Sequence, residues 1–165
     1  MLSDNSIIAQ AEKRVEALIP AQQREAYFKI VIAGNKILMQ GGPQSPLASL
    51  KTEEDPITAL VHGVVGILQI LRHMSNGTMP VPIAIAAGMT LVLQGLDFMD
   101  RTGIQKIGNQ EIDATVQLYN DVALPAMGVK AADQQAIASQ GLGALHDPST
   151  AAKVQHVMGV NSAAA

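Results

Sequence analysis

Two nearly uncharged stretches, residues 57–74 and 83–99, flank the turn Ser75-Asn76-Gly77-Thr78-Met79-Pro80. No other feature limits the fold so strongly. The polar marks of the first are Thr58, His62, Gln69 and Arg72, with His73 beside them, and most share one narrow stripe. In the second, Thr90, Gln94, Asp97 and Arg101 recur at spacings of four, three and four. Helices with such narrow polar faces must bury most of their circumference. The pair therefore reads as a strongly apolar helical hairpin, about 56–74 and 82–101. An all-α fold, a small helical bundle built around that hairpin, is the expectation.

Small residues mark where these helices would touch others. Ala59 and Gly63 are four apart, as are Ala84 and Gly88, and Gly66 and Gly95 add to them. A glycine inside a helix costs about 1 kcal/mol relative to alanine. Close approach of another helix backbone is the natural compensation, so these six residues are the candidate packing contacts. Leucine at Gly63 or Gly88 is expected to disrupt packing by overfilling. The same spacing serves membrane helices and tight soluble bundles alike.

A spanning helix needs about 20 predominantly apolar residues. The run 79–93 is apolar except for Thr90, and 57–71 is broken by Thr58, His62 and Gln69, so both fall short. Extending the second run takes in Gln94 and Asp97, and a carboxylate deep in hydrocarbon is expensive. A buried hairpin is the first expectation, and a membrane hairpin the second.

Around it, residues 3–19 show one apolar face in Ile8, Ala11, Val15 and Leu18, with Ser3 or Asp4 as cap. Pro20 breaks the run. A second helix over 21–39 carries Tyr27, Ile30, Val31, Ile37 and Leu38 inward, with Glu25 and Lys29 paired outside. Residues 40–52 read as a loop, and Thr52 or Asp55 caps the next helix, with Pro56 at its first position if the cap is Asp55. Short helices follow at about 111–123, ended by Pro125 and Gly128, and at 131–142. One domain is expected over 1–142, and 143–165 reads as a tail, mobile or ordered by a partner.

Composition narrows the function. Charged residues are only 15% of the 165, with a net charge of −3. Globular chains carry about 25%, so a chain this poorly charged fits one packed against neighbours. No basic cluster supplies the field that nucleic-acid binding needs, and two Tyr, two Phe and no Trp are a poor set for base stacking. Without cysteine there are no disulfides and no zinc–thiolate sites. The start, Met1-Leu2-Ser3-Asp4-Asn5, lacks the regions of a signal peptide, so a cytoplasmic origin is expected.

Catalytic chemistry finds no foothold. His62 and His73 share a helix face but lie about 16 Å apart along it, too far for one metal. Asp97 and Asp100, three apart, could face a common site, but Asp100-Arg101 reads better as a solvated helix end. Glu53, Glu54 and Asp55 suit capping. No serine sits in a nucleophile elbow, and Gly41-Gly42 lacks the Lys-Ser or Lys-Thr of a phosphate loop. No catalytic, cofactor or metal residue is assigned, and no enzyme is expected.

Three stretches carry a resemblance: Tyr27-Phe28-Lys29-Ile30-Val31-Ile32-Ala33-Gly34-Asn35-Lys36-Ile37-Leu38, Asp55-Pro56-Ile57, and Gly77-Thr78-Met79-Pro80 leading to Leu96-Asp97-Phe98-Met99. Together, over about residues 7–125, the chain resembles small structural proteins of tailed-bacteriophage virions. The resemblance implies a protein present in many copies, packed against itself or other virion proteins, in the head interior, the portal and tail region, or a set ejected with the genome. It assigns no site residue. The first reading is therefore a non-enzymatic virion component without cofactor, assembled in the host cytoplasm. The second is a membrane-active protein, holin-like or inserted into the host envelope on ejection. The third is a small soluble helical adaptor.

Overall fold

A computed structural model describes residues 5–42 and 45–146, and the side chains at 140–142 and 144 lie outside that description. The described residues form an all-α bundle. Its helices are α1 (Ser6–Ala17), α2 (Arg24–Met39), α3 (Pro46–Ser49), α4 (Pro56–Met74), α5 (Val81–Thr102), α6 (Asn109–Ala126) and α7 (Ala131–His146). Short 3-10 turns, Ala21–Gln23 and Leu50–Thr52, precede α2 and α4.

The boundaries follow local chemistry. Asn5, rather than Ser3 or Asp4, caps α1, its side chain accepting from the Ile7 amide. The break at Pro20 delays α2 by one 3-10 turn. The stretch expected as loop over 40–52 contains α3, where Ser45 accepts from the Ala48 amide and Pro46 takes the first position. That turn exists because Leu47 and Leu50 are buried. Asp55 caps α4, accepting from the Thr58 amide at 3.1 Å and the Thr58 hydroxyl at 2.6 Å. Gly103, at φ 72°, closes α5 in the left-handed region that favours glycine. α6 runs one residue past Pro125, because a proline in the last turn frees only the solvent-facing carbonyl of exposed Asp121. α7 continues to His146, four residues beyond the expected end, and the expected tail from 147 onward lies outside the described residues.

α5 is the axis of the bundle. α1, α2, α4 and α6 all pack against it, and α7 packs on α6 and α1. Ile83, Ala84, Ala87, Leu91, Val92, Leu93, Leu96 and Met99 of α5 are fully enclosed. Glycines set how near the neighbours come. A Cβ on Gly88 would lie 2.1 Å from the Tyr119 hydroxyl and 2.5 Å from Leu68 Cδ1, and one on Gly95 would lie 2.4 Å from Leu60 Cδ1. On α2, a Cβ at Gly34 would lie 2.4 Å from Leu91 Cδ1. Tyr119 caps its own notch by donating to the Ile85 carbonyl at 2.8 Å.

Three of the four stripe residues of α5, Thr90, Gln94 and Asp97, turn toward other elements, while Arg101 is exposed. Tyr27 and Thr90 share a hydrogen bond of 2.7 Å, and Asn35 donates to Gln94 at 2.7 Å. Thr90 and Asp97 are buried. Thr90, Gln94 and Asp97 of the stripe expected as a polar face thus form a seam between α5 and the helices α1 and α2.

Gly88→Ala should lower stability by about 1–3 kcal/mol through overpacking against Tyr119 and Leu68. Gly63→Ala, with nothing within 4 Å of the added methyl among the described residues, should instead raise the stability of the single chain, measured at high dilution, by up to about 1 kcal/mol through helix propensity. Urea titrations of the two variants beside the parent chain check both signs.

Candidate functional site: the outer face of α4

Asp97, Asp100 and His146 are held by structural bonds. Asp97 accepts from the Asn5 amide at 3.1 Å and pairs with Arg101 at 2.8 Å. Asp100 accepts from the Ile107 amide at 3.0 Å and from the Asn5 side chain at 3.1 Å, and pairs with Lys106 at 3.2 Å. The Asn5 amide group also donates to the Ile107 carbonyl at 3.3 Å. The two carboxylates therefore clip the start of α1 to the loop between α5 and α6. Asp100 is no solvated helix end, as its sequence position suggested, but the acceptor that orders this loop. The Ile107 amide is the main cause holding its carboxyl below the usual carboxylate range, with Asn5 and Lys106 adding to it.

A second tie joins α7 to the bundle. His146 lies 3.0 Å from Asp113 of α6, and Arg14 of α1 donates to the Leu145 carbonyl. His62 and His73 are both exposed on α4. Among the described residues no three His, Asp or Glu side chains gather in a way that could hold a metal. Burial raises the Tyr27 hydroxyl to about 12 and the Tyr119 hydroxyl further, so both remain neutral members of the core.

What the fold leaves over is a surface. α4 and α5 are both long and apolar enough to cross a membrane, by length and composition only. Their surroundings differ: 67% of the most apolar stretch of α5 is buried by its own chain, against 33% for α4. Leu60, Val61, Val64, Val65, Ile67, Leu68 and Leu71 turn inward. The opposite side carries Ala59, Gly63 and Gly66, all half-buried, then exposed His62, Gln69, Ile70, His73 and Met74. Ile70 is 52% and Met74 71% exposed.

The six small residues thus divide. Ala84, Gly88 and Gly95 lie in the core, with Gly88 and Gly95 at close helix contacts. Ala59 lies at the margin, half-buried against the core. Gly63 and Gly66 would meet nothing within 4 Å of an added Cβ among the described residues, so neither sits at a close helix contact there. Spacing along the chain put all six on helix faces but did not say which face turns inward. Gly34 went unread, although a glycine in mid-helix carries the same signal. On α2, exposed Phe28 (41%), Ile32 (68%) and Met39 (51%) add further uncovered apolar surface.

Beside the end of α4 is a shallow cleft lined by Gln69, Arg72, His73, Asn76, Gly77 and Ala126. Arg72 crosses it to donate to the Met127 carbonyl at 3.0 Å.

Comparison with protein-family models, with curated proteins and with solved structures finds no match to this chain.

Because the Asp100 carboxyl titrates lower in the folded chain than in the unfolded one, its contribution is complete above the unfolded value of about 3.9. It is lost as pH falls through the folded value. Asp100→Asn should therefore flatten the acid limb of stability below about pH 4 relative to the parent chain. Urea midpoints measured across that limb check this, and an unchanged slope would remove Asp100 from the clip.

Proposed function

We propose that this chain is a non-enzymatic structural component of a large assembly, and that the assembly is a tailed-bacteriophage particle. The outer face of α4 carries the reading. It places Ile70 and Met74 in solvent and leaves Gly63 and Gly66 open among the described residues, on a helix long and apolar enough, by length and composition, to cross a membrane. Soluble monomers rarely leave large contiguous apolar surfaces uncovered. A neighbouring subunit covers such a face in an obligate assembly. The low charge of the chain agrees, since few like charges oppose dense packing.

The phage context rests on the resemblance carried by Tyr27 to Leu38, Asp55-Pro56-Ile57 and the stretch from Gly77 to Met99. On this reading the partners are copies of the same chain and other virion proteins, with no direct role for nucleic acid. The location is the virion, assembled in the host cytoplasm. Asp97, Asp100 and His146 agree with the non-enzymatic part, since each is engaged in ties between elements.

A membrane-active protein is the second reading, favoured by the same uncovered apolar face of α4. Hydrocarbon rather than protein would then cover it.

Mass determination without detergent across a concentration series tests the first reading. The expected outcome is a defined oligomer of this chain. A monomer at every concentration would overturn self-assembly. Flotation with phosphatidylglycerol-containing vesicles tests the second, and protein that stays at the bottom of the gradient at neutral and mildly acidic pH would sink it.

A further inference from the structure

We propose that α4 pairs with α4 of a second copy, antiparallel about a two-fold axis that passes between Gly66 and Ile67. The inference rests on the assembly reading above and names its contact. At about 100° per residue, Ala59, Gly63, Gly66, Ile70 and Met74 fall within roughly 80° of arc on one flank of the outer side of α4, beside exposed His62, Gln69 and His73. The beginning of this face is recessed. Ala59, Gly63 and Gly66 are small, and among the described residues nothing lies within 4 Å of a Cβ added at either glycine. Its end is raised, with Ile70 52% and Met74 71% exposed.

A two-fold contact is self-complementary, because the same patch must meet itself. With the axis between Gly66 and Ile67, Ile70 falls opposite Gly63 of the partner copy, and Met74 opposite its Ala59. Both raised side chains then meet both recesses at once. Parallel pairing would set Ile70 on Ile70 and Gly63 on Gly63, and would leave the recesses empty.

Charge selects the same orientation. α4 begins beside exposed Glu53, Glu54 and Asp55 and ends at Arg72 and His73. Antiparallel pairing lays each acidic start beside the partner's basic end, and parallel pairing would stack like on like. In this register Pro56 of the partner copy is level with Gly77, so its acidic residues arrive at the end of α4 that carries exposed His73. The helix dipoles also oppose in this arrangement, which is favourable between adjacent helices.

The chain has no cysteine, so introduced thiols report the register directly. Gly63→Cys with Ile70→Cys should give a disulfide-linked dimer on mild oxidation. The two positions lie about 10 Å apart along one helix, beyond the roughly 7 Å limit for a bridge within the chain. Gly66→Cys alone, beside the axis, should also crosslink. Gly63→Cys with Met74→Cys places neither thiol opposite the other and should crosslink far less. Ile70→Glu, at an exposed position, should halve the dimer mass while helicity stays unchanged.

Equal crosslinking of the matched and mismatched pairs would overturn the register. An oligomer that survives Ile70→Glu and forms no matched crosslink would overturn the α4 contact, yet leave the assembly reading in place. A wild-type chain that is monomeric throughout would remove both.

Discussion

The close approach of neighbouring helices to α5 governs the rest of the bundle. Gly88 leaves room for the Tyr119 hydroxyl and Leu68, and Gly95 leaves room for Leu60. Those contacts bring α4 and α6 against the same axis, while Leu91 of α5 enters the gap at Gly34 of α2. Large side chains seated in backbone notches determine translation along the axis as well as distance, because each fits one place only. Tyr119 adds direction, since its hydroxyl must also reach the Ile85 carbonyl. A buried hydroxyl without that acceptor would cost about 1–3 kcal/mol, so the notch and the hydrogen bond select the same arrangement.

Polar residues settle what apolar packing leaves free. Hydrophobic contact is non-directional and tolerates rotation of one helix on another. The bonds Tyr27 to Thr90, Asn35 to Gln94 and Asn5 to Asp97 tolerate it far less. They run along one side of α5 and fix how α1 and α2 face it. Asp97 and Asp100 then draw the chain start and the loop before α6 to the far end of α5. The Asn5 side chain serves both tasks: its oxygen caps α1 and its amide group donates to Asp100 and Ile107. This explains why a helix as apolar as α5 keeps polar residues at fourfold and threefold spacing. They are the orientation signal of a buried helix, not its wet side.

How much of this was legible depends on whether the signal is local. Asp55-Pro56 and Gly103 act within one turn, so the start and end of the hairpin helices could be read from neighbours in sequence. Pro20 likewise announces its break. Ser45-Pro46 uses the same cap-and-proline grammar as Asp55-Pro56, and α3 was missed because the surrounding Gly and Pro residues hid a helix of one turn. The buried seam was not legible, because Thr90, Gln94 and Asp97 find partners 63, 59 and 92 residues away in the chain. The same limit applies to the candidate face. Gly63 and Gly88 carry identical local signals, and only the packing of α6 and α4 on α5 separates them.

That separation is the physical case for a surface made to be covered. The core glycines of α5 are offset by the side chains that fill their notches. Gly63 and Gly66 gain no such contact among the described residues, yet each still carries the helix penalty of about 1 kcal/mol relative to alanine. On the same face Ile70 and Met74 keep apolar surface in water. A single chain would be more stable with alanine at both glycines and polar residues at both protrusions. Recess and protrusion gain free energy only when something beyond the described residues occupies one and encloses the other. The two hairpin helices thus use one composition for two purposes: α5 closes the fold, and α4 presents what remains of that apolar surface to a neighbour.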